Sequence, residues 1–99
     1  NKVVRDKIPE IIAESGKQFN VKQLDGASFL AELEKKLIEE VNEYSESKDV
    51  EELADLLEVI YRISELRGVS SDELDKIREE KAKKRGKFDN NLFLIDAEK

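Results

Sequence analysis

Apolar side chains recur at intervals of three and four residues through two long stretches of this chain. In the first stretch they are Phe29, Leu30, Leu33, Leu37, Val41 and Tyr44. In the second they are Leu53, Leu56, Leu57, Ile60, Ile63 and Leu66. This spacing places them on one face of a helix and predicts two long amphipathic helices. The first is predicted to start at Asp25 or Ser28 and to run to about Ser47. The second is capped by Asp49 and ended by Gly68.

A short helix is predicted before these two. Asp6 is expected to cap it, Pro9 is compatible with its first turn, and it runs to about Ser15, with Gly16 at its end. Residues 17–24 alternate loosely between apolar and polar side chains, which favours an extended segment.

A third long helix is predicted near the end of the chain. Ser70 or Ser71 caps it, and it reaches Arg85, where Gly86 stops it. Its apolar stripe is thin. Residues 88–95 are largely apolar and are predicted to form a last extended segment, so that short extended pieces lie near both termini.

The elements together predict an all-α protein built around an antiparallel helix hairpin. Ninety-nine residues fit a single domain that spans residues 1–99. A chain of this length buries only a modest core. One subunit is not expected to cover the apolar stripes of both long helices, so we expect a helical bundle that is completed by oligomerisation.

Four carboxylates are arranged symmetrically about the turn between the two long helices. Glu40 and Glu43 lie three residues apart before the turn, and Glu52 and Asp55 lie three residues apart after it. Residues three apart share a helix face. In an antiparallel hairpin Glu43 faces Glu52, and Glu40 faces Asp55. Such a convergence of negative charge is unfavourable unless a cation lies among the carboxylates.

Two of these acids lie among apolar positions on the helical wheel. Glu40 projects between Phe29 and Leu33, and Glu52 falls inside the apolar arc of the second helix. Glu52 also completes an approximate capping box with Asp49. Carboxylates among core residues need partners, and bound cations supply them most simply. The alternative, acids paired with lysines or reaching water at the bundle surface, remains open.

The composition limits the chemistry of such a site. The chain has no cysteine and no histidine, which excludes disulfides, thiol chemistry and histidine-ligated metals. A metal must then take oxygen ligands, as magnesium, manganese and calcium do. The acids lie on helices rather than in an Asp-rich loop, which disfavours a calcium loop.

Charge is unevenly distributed. The formal net charge of −6 disfavours a general nucleic-acid binder. Residues 32–58 carry eleven acids against three lysines, whereas residues 76–87 carry seven bases against two acids. An acidic centre with basic arms suits a metal-bound polyphosphate, although solvated helix faces would give the same pattern. No apolar run is long enough to span a membrane, and no signal peptide is visible, so we expect a cytoplasmic protein without membrane contact.

The basic and acidic residues define candidate roles in phosphoryl chemistry. A spare carboxylate is able to take a proton from water, and Glu39 and Glu40 are the candidates. The candidates for holding phosphate oxygens are Lys36, Lys81, Arg85, Arg5 and Lys7. Lys81 and Arg85 lie four residues apart on the third long helix. Each base taken singly is more often a solvated side chain.

The acids and the two ends of the chain resemble a known family. The run from Glu39 to Glu43, followed by the run from Glu52 to Asp55, is similar to the EExxE…ExxD signature of the MazG-like all-α nucleoside triphosphate pyrophosphohydrolases. The start, VRDKIPEII from Val4, and the end, from Lys81 through RGKF, resemble a small house-cleaning branch described as similar to phosphoribosyl-ATP pyrophosphohydrolase. The resemblance covers residues 2–95.

The resemblance implies a dimer or a tetramer that hydrolyses a nucleoside triphosphate, often a non-standard one, to monophosphate and pyrophosphate. It implies Mg²⁺, with Mn²⁺ as a possible substitute, at Glu40, Glu43, Glu52 and Asp55, and attack of water on the α-phosphorus. Only eight residues separate the acid pairs, fewer than in larger members. The histidine that phosphoribosyl-ATP pyrophosphohydrolases carry after their aspartate is absent, so a role in histidine biosynthesis is not expected.

Two other functions fit the same residues. An acidic helical module that binds a partner protein would show no stabilisation by Mg²⁺ and no pyrophosphate release. A degenerate family member that binds nucleotide without cleaving it would show the stabilisation without the product.

Overall fold

The computed structural model describes residues 1–98, which form four helices and no β-strand. The helices are α1 (Ile8–Glu14), α2 (Gly26–Ser47), α3 (Val50–Leu66) and α4 (Ser71–Arg85). The prediction of an all-α protein is therefore confirmed. The segments expected to be extended, residues 17–24 and 88–95, are irregular.

Helices α2 and α3 pack against each other as a hairpin whose start and turn are fixed by two caps. The Asp25 side chain accepts a hydrogen bond from the Ser28 backbone N–H at 2.8 Å and begins α2. The Asp49 side chain accepts one from the Glu51 N–H at 3.1 Å and begins α3. Both caps satisfy N–H groups that a helix start leaves unpaired, which confirms the predicted starts.

The connection between α2 and α3 consists of two residues, Lys48 and Asp49. Lys48 adopts a left-handed conformation with φ of 59°, and its backbone N–H donates to the Tyr44 carbonyl at 2.8 Å. A single left-handed residue ends a helix sharply and reverses the chain. This tight turn sets which residues of α2 lie opposite which residues of α3.

Two predicted caps are wrong in detail. Lys7, not Asp6, holds the N-cap position of α1, and no side chain caps that helix; Pro9 in its first turn lacks an N–H that would need a partner. The Asp49 N–H donates to Ser47 Oγ at 3.1 Å, so the serine performs the function expected of Glu52 in a capping box. The Glu52 side chain is instead directed toward the other acids.

The chain after α3 follows the predicted signals. Gly68, with φ of 88°, allows the reversal in which the Val69 N–H donates to the Ser64 carbonyl at 2.9 Å. Ser70 then caps α4 by accepting from the Glu73 N–H at 3.1 Å. Helix α4 packs on α3, whereas α1 packs on no other helix among the described residues.

The core of the single chain is very small. Among residues 1–98, Leu33 and Val59 are the two buried apolar side chains. Other members of the predicted stripes remain open to solvent, with Leu53 42% and Leu57 46% exposed. The radius of gyration is 17.9 Å, against about 13 Å for a compact domain of this length. The apolar face of the hairpin is therefore largely uncovered in the single chain.

None of the four helices in the described part of the chain is both long enough and apolar enough to cross a membrane.

Candidate metal centre

Three carboxylates meet where α2 and α3 lie side by side. Glu40 of α2 and Glu52 and Asp55 of α3 each offer one oxygen, and these oxygens lie within 4.8 Å of one another. The tight turn at Lys48 produces this meeting, because it places the third turn from the end of α2 beside the first turns of α3. The predicted convergence of Glu40 with the acids of α3 is thus present in the structure.

Glu40 is the one buried charged residue in the part of the chain that the structure describes, with 4% of its surface exposed. It lies seven residues after the buried Leu33, so it occupies the same helix face as the core. Lys36, one turn earlier, places Nζ 3.1 Å from Glu40 Oε1. Glu40 Oε2 has no hydrogen-bond partner among residues 1–98. A buried oxygen without a partner is costly, and a bound cation would satisfy it.

The pKa of Glu52 reflects both its partial burial and the neighbouring acids. Partial burial raises the pKa of its carboxyl above the ordinary value, because loss of water disfavours the charged form. The charges of Glu43, Glu40 and Asp55 raise it further, in that order. The carboxylates of the cluster therefore repel one another when they are ionised, and a bound divalent cation would reduce this repulsion.

Asp55 is held from outside the hairpin. The guanidinium of Arg5, in the segment before α1, places one nitrogen 2.6 Å from Asp55 Oδ1. This pair is open to solvent, with the side chains 59% and 44% exposed. Arg5 and Lys36 thus each pair with one of the three clustered acids, and Glu52 has no ion pair among residues 1–98.

The donor set fits a hard divalent cation. All donors are carboxylate oxygens, which magnesium, manganese and calcium prefer. Oxygens on opposite sides of a Mg²⁺ ion lie about 4.2 Å apart, and those of Ca²⁺ about 4.8 Å. The three oxygens lie within 4.8 Å of one another, which is close enough for one divalent cation to contact all of them. The unpartnered Glu40 oxygen is a second observation, besides the acid cluster, that a bound cation would account for.

An open groove of about 830 Å³ adjoins this cluster. Its walls include the segment from Lys2 to Ile8, together with Lys36, Glu40 and Asp55. Three predicted phosphate ligands, Arg5, Lys7 and Lys36, therefore lie along one groove beside the acids.

Other predicted site residues lie outside the group of three oxygens. Glu39 and Glu43 are exposed on α2, although the charge of Glu43 acts on Glu52. Lys81 and Arg85 do not line the groove among the described residues; Arg85 borders a separate hollow formed with residues 86–92.

Several groove residues were not predicted from the sequence. Tyr61, Arg62, Glu58 and Glu65 also line the groove, and Arg62 pairs with Glu65 at 3.4 Å. The helical wheel places Glu58 and Glu65 on the solvent face of α3, and both are exposed, yet they also border the groove. One of these residues could have been predicted from its spacing. Glu58 lies three residues after Asp55 and so shares its helix face.

Comparisons with known proteins found no match among protein-family models, curated proteins or solved structures.

Proposed function

We propose that this chain is a Mg²⁺-dependent nucleoside triphosphate pyrophosphohydrolase that releases nucleoside monophosphate and pyrophosphate, with Mn²⁺ as an alternative ion. The observation that carries the proposal is Glu40, a buried carboxylate with one unpartnered oxygen beside Glu52 and Asp55. A triphosphate bound through a divalent cation would place its negative charge against the bases of the same groove. The resemblance of the acid motif to the MazG-like enzymes supports the same reaction.

The groove residues divide the work in this proposal. A bound divalent ion would polarise the α-phosphorus and lower the pKa of water. Glu40, Glu43, Glu52 and Asp55 would hold that ion. Lys36, Arg5 and Lys7 would bind phosphate oxygens, since cations form strong hydrogen bonds to them.

Proton transfer is assigned to the same stretch of α2. Glu39 precedes Glu40 in the chain and is exposed, so its carboxylate would be able to accept a proton from water, and Glu40 is the second candidate. Lys81 and Arg85 lie on α4, and their binding of phosphate remains a prediction from the sequence.

The direct test is a panel of standard and damaged nucleoside triphosphates, assayed for pyrophosphate release with and without millimolar Mg²⁺. We expect Mg²⁺-dependent release of pyrophosphate and the matching monophosphate from at least one substrate. Release of orthophosphate, or no product at all, would contradict the proposal.

Variants of the acids test the assignment of the site. Glu43→Gln and Asp55→Asn are each expected to reduce turnover at least about a hundredfold while the helices remain folded. Glu34→Gln is a matched control, because Glu34 is exposed on α2 and does not line the groove. Full activity in both test variants would remove the metal assignment.

The proposal includes a homodimer or homotetramer. A compact monomer of 11.4 kDa exposes about 5,800 Å². This subunit exposes 9219 Å², an excess of about 3,400 Å². A standard interface covers about 800 Å² on each partner, so the excess is ample for an extensive one. The uncovered surfaces are the apolar face of the α2–α3 hairpin and the apolar segment after Gly86.

A second function, a module that binds another protein, is favoured by that last segment. Phe88, Leu92, Phe93, Leu94 and Ile95 are between 80% and 98% exposed, a large apolar area for a free surface. The melting temperature separates the two functions. An ion that binds only the folded state must raise it, so millimolar Mg²⁺ stabilises the enzyme and leaves a simple interaction module unchanged.

A further inference from the structure

The segment before α1 crosses the acid cluster and contributes a cation to it. Arg5 is fifty residues away from Asp55 in sequence, yet its guanidinium lies 2.6 Å from Asp55 Oδ1. Residues 2–8 form one wall of the groove, with α2 and α3 opposite. A positive group thus already occupies one of the oxygens that the proposed function assigns to a divalent ion.

The two ion pairs of the cluster differ in how firmly they are held. Lys36 and Glu40 belong to one helix, and their side chains are 25% and 5% exposed. Arg5 and Asp55 join distant parts of the chain and are about half exposed. An exposed pair contributes little, so it is readily broken, whereas separating a buried charge from its partner is costly. Arg5 is therefore the cation that is able to leave.

We propose that Arg5 is an exchangeable internal cation: it neutralises Asp55 in the empty groove and is released to the anionic part of the ligand when a divalent ion binds the carboxylates. This inference rests on the proposed metal site. It assigns to Arg5 two alternating partners, a carboxylate of its own chain and a phosphate oxygen of the ligand.

The chemistry of the guanidinium suits both partners. Its planar fork of N–H donors binds carboxylates and phosphates with the same geometry. Released Arg5 stays in the wall of the same groove, next to Lys2 and Lys7, so it remains within the region where phosphates would lie. Metal and anion then assist each other's binding, because each removes a competitor of the other.

The exchange predicts that removing Arg5 strengthens metal binding in the absence of nucleotide. Mn²⁺ binding to the full chain is measured at pH 7 by the electron paramagnetic resonance signal of the free ion. Arg5→Ala is expected to bind Mn²⁺ about two- to fivefold more tightly than wild type. Arg5→Lys, which keeps a charge but loses the planar fork, should fall between the two.

Lys2→Ala is the matched control. Lys2 carries the same charge in the same segment and has no ion pair within residues 1–98, so its removal should change the affinity less than Arg5→Ala does. Circular dichroism confirms that each variant is folded. Equal tightening by Lys2→Ala would mean a general effect of charge and would overturn the exchange.

A direct readout follows Arg5 itself. The chain has five arginines, so their Nε–H signals are few enough to resolve by nuclear magnetic resonance. The signal that is lost in Arg5→Lys should shift on titration of the wild type with Mg²⁺, while the control signals of the α4 arginines stay in place.

The outcomes separate the two proposals. If neither wild type nor any variant binds Mn²⁺ or Mg²⁺, the metal site and the exchange both fail. If wild type binds the ion but Arg5→Ala binds it equally or less tightly, the exchange alone fails and the proposed function stands. An unmoved Arg5 signal at saturating Mg²⁺ would also overturn the exchange.

Discussion

The acid cluster of the hairpin and the chain after Gly86 depart from the usual distribution of side chains in opposite directions. In the cluster a carboxylate, Glu40, is 4% exposed and lies on the core face. After Gly86, large apolar side chains such as Phe88 and Phe93 are 98% and 89% exposed. Charged residues are rarely buried without partners, and apolar residues rarely cluster on a free surface.

The contrast indicates two different missing counterparts. The cluster has an unpartnered buried oxygen, which a small cation would satisfy. The terminal segment has uncovered apolar area, which a second protein surface would cover. The first requirement is local and involves a few atoms, whereas the second involves many side chains. Conditions that affect one region should therefore leave the other nearly unchanged.

The largest effect is expected from the exposed terminal segment. Phe93→Ser should weaken self-association, because burying a phenylalanine contributes about 1.5–3 kcal/mol and a dimer contains two copies. The dissociation constant should rise on the order of a hundredfold or more, measured by sedimentation equilibrium. Asp96→Ser is the control in the same segment.

Two results would contradict a role of the terminal segment in self-association. An unchanged dissociation constant for Phe93→Ser would show that the segment is not part of the interface. A wild-type protein that stays monomeric at all concentrations would contradict the argument from exposed area.

The next effect concerns the apolar side chains of α2. Leu33→Ala should lower the free energy of unfolding by about 2–4 kcal/mol, because Leu33 is one of two buried apolar side chains. Ile38→Ala should cost much less in dilute solution, since Ile38 is 63% exposed. Urea denaturation at low protein concentration measures both. Equal losses would mean that the exposed face is already covered in the isolated subunit.

The smallest effect tests the repulsion between Glu52 and the other carboxylates of the cluster. The folded state raises the pKa of Glu52 above its ordinary 4.5, so folding favours the protonated form. Glu52 therefore contributes to the free energy of unfolding at pH values below its ordinary pKa. This stabilisation is lost as the pH rises through the raised pKa of the folded state. Without metal, Glu52→Gln should therefore melt above wild type at pH 7, and the difference should vanish below about pH 4.

Magnesium should reverse that order. Millimolar Mg²⁺ is expected to raise the melting temperature of wild type and to leave Glu52→Gln nearly unchanged, because the variant lacks one ligand. Glu34→Gln should respond to Mg²⁺ as wild type does. A Mg²⁺ response of equal size in Glu52→Gln would exclude Glu52 from the site.

Local signals in the sequence were sufficient for the helices and for the burial of Glu40. The caps Asp25, Asp49 and Ser70 each bond within three residues, so their effect is visible in the sequence itself. The position of Glu40 followed from its helix face, which it shares with Leu33. The predicted cap of α1 was wrong because the helix begins one residue later than expected. Asp6 has a side chain that suits an N-cap, but Lys7 occupies that position.

Contacts between segments that are distant in the chain could not be predicted from local sequence patterns. The pairing of Arg5 with Asp55 depends on where the irregular residues before α1 lie, and no periodicity constrains an irregular segment. The same holds for Tyr61 and Arg62, which border the groove only because residues 2–8 form its opposite wall. The exposure of residues 88–95 depends on what packs against them, and composition alone does not specify it.

The two-residue connection at Lys48 and Asp49 makes the site sensitive to chain length as well as to residue identity. Inserting one residue there would preserve every acid and both helices, yet it would disrupt the tight reversal at Lys48 and change which residues of α2 lie opposite Glu52 and Asp55. A one-residue insertion in this connection is therefore expected to disperse the acid cluster while the helices themselves remain intact.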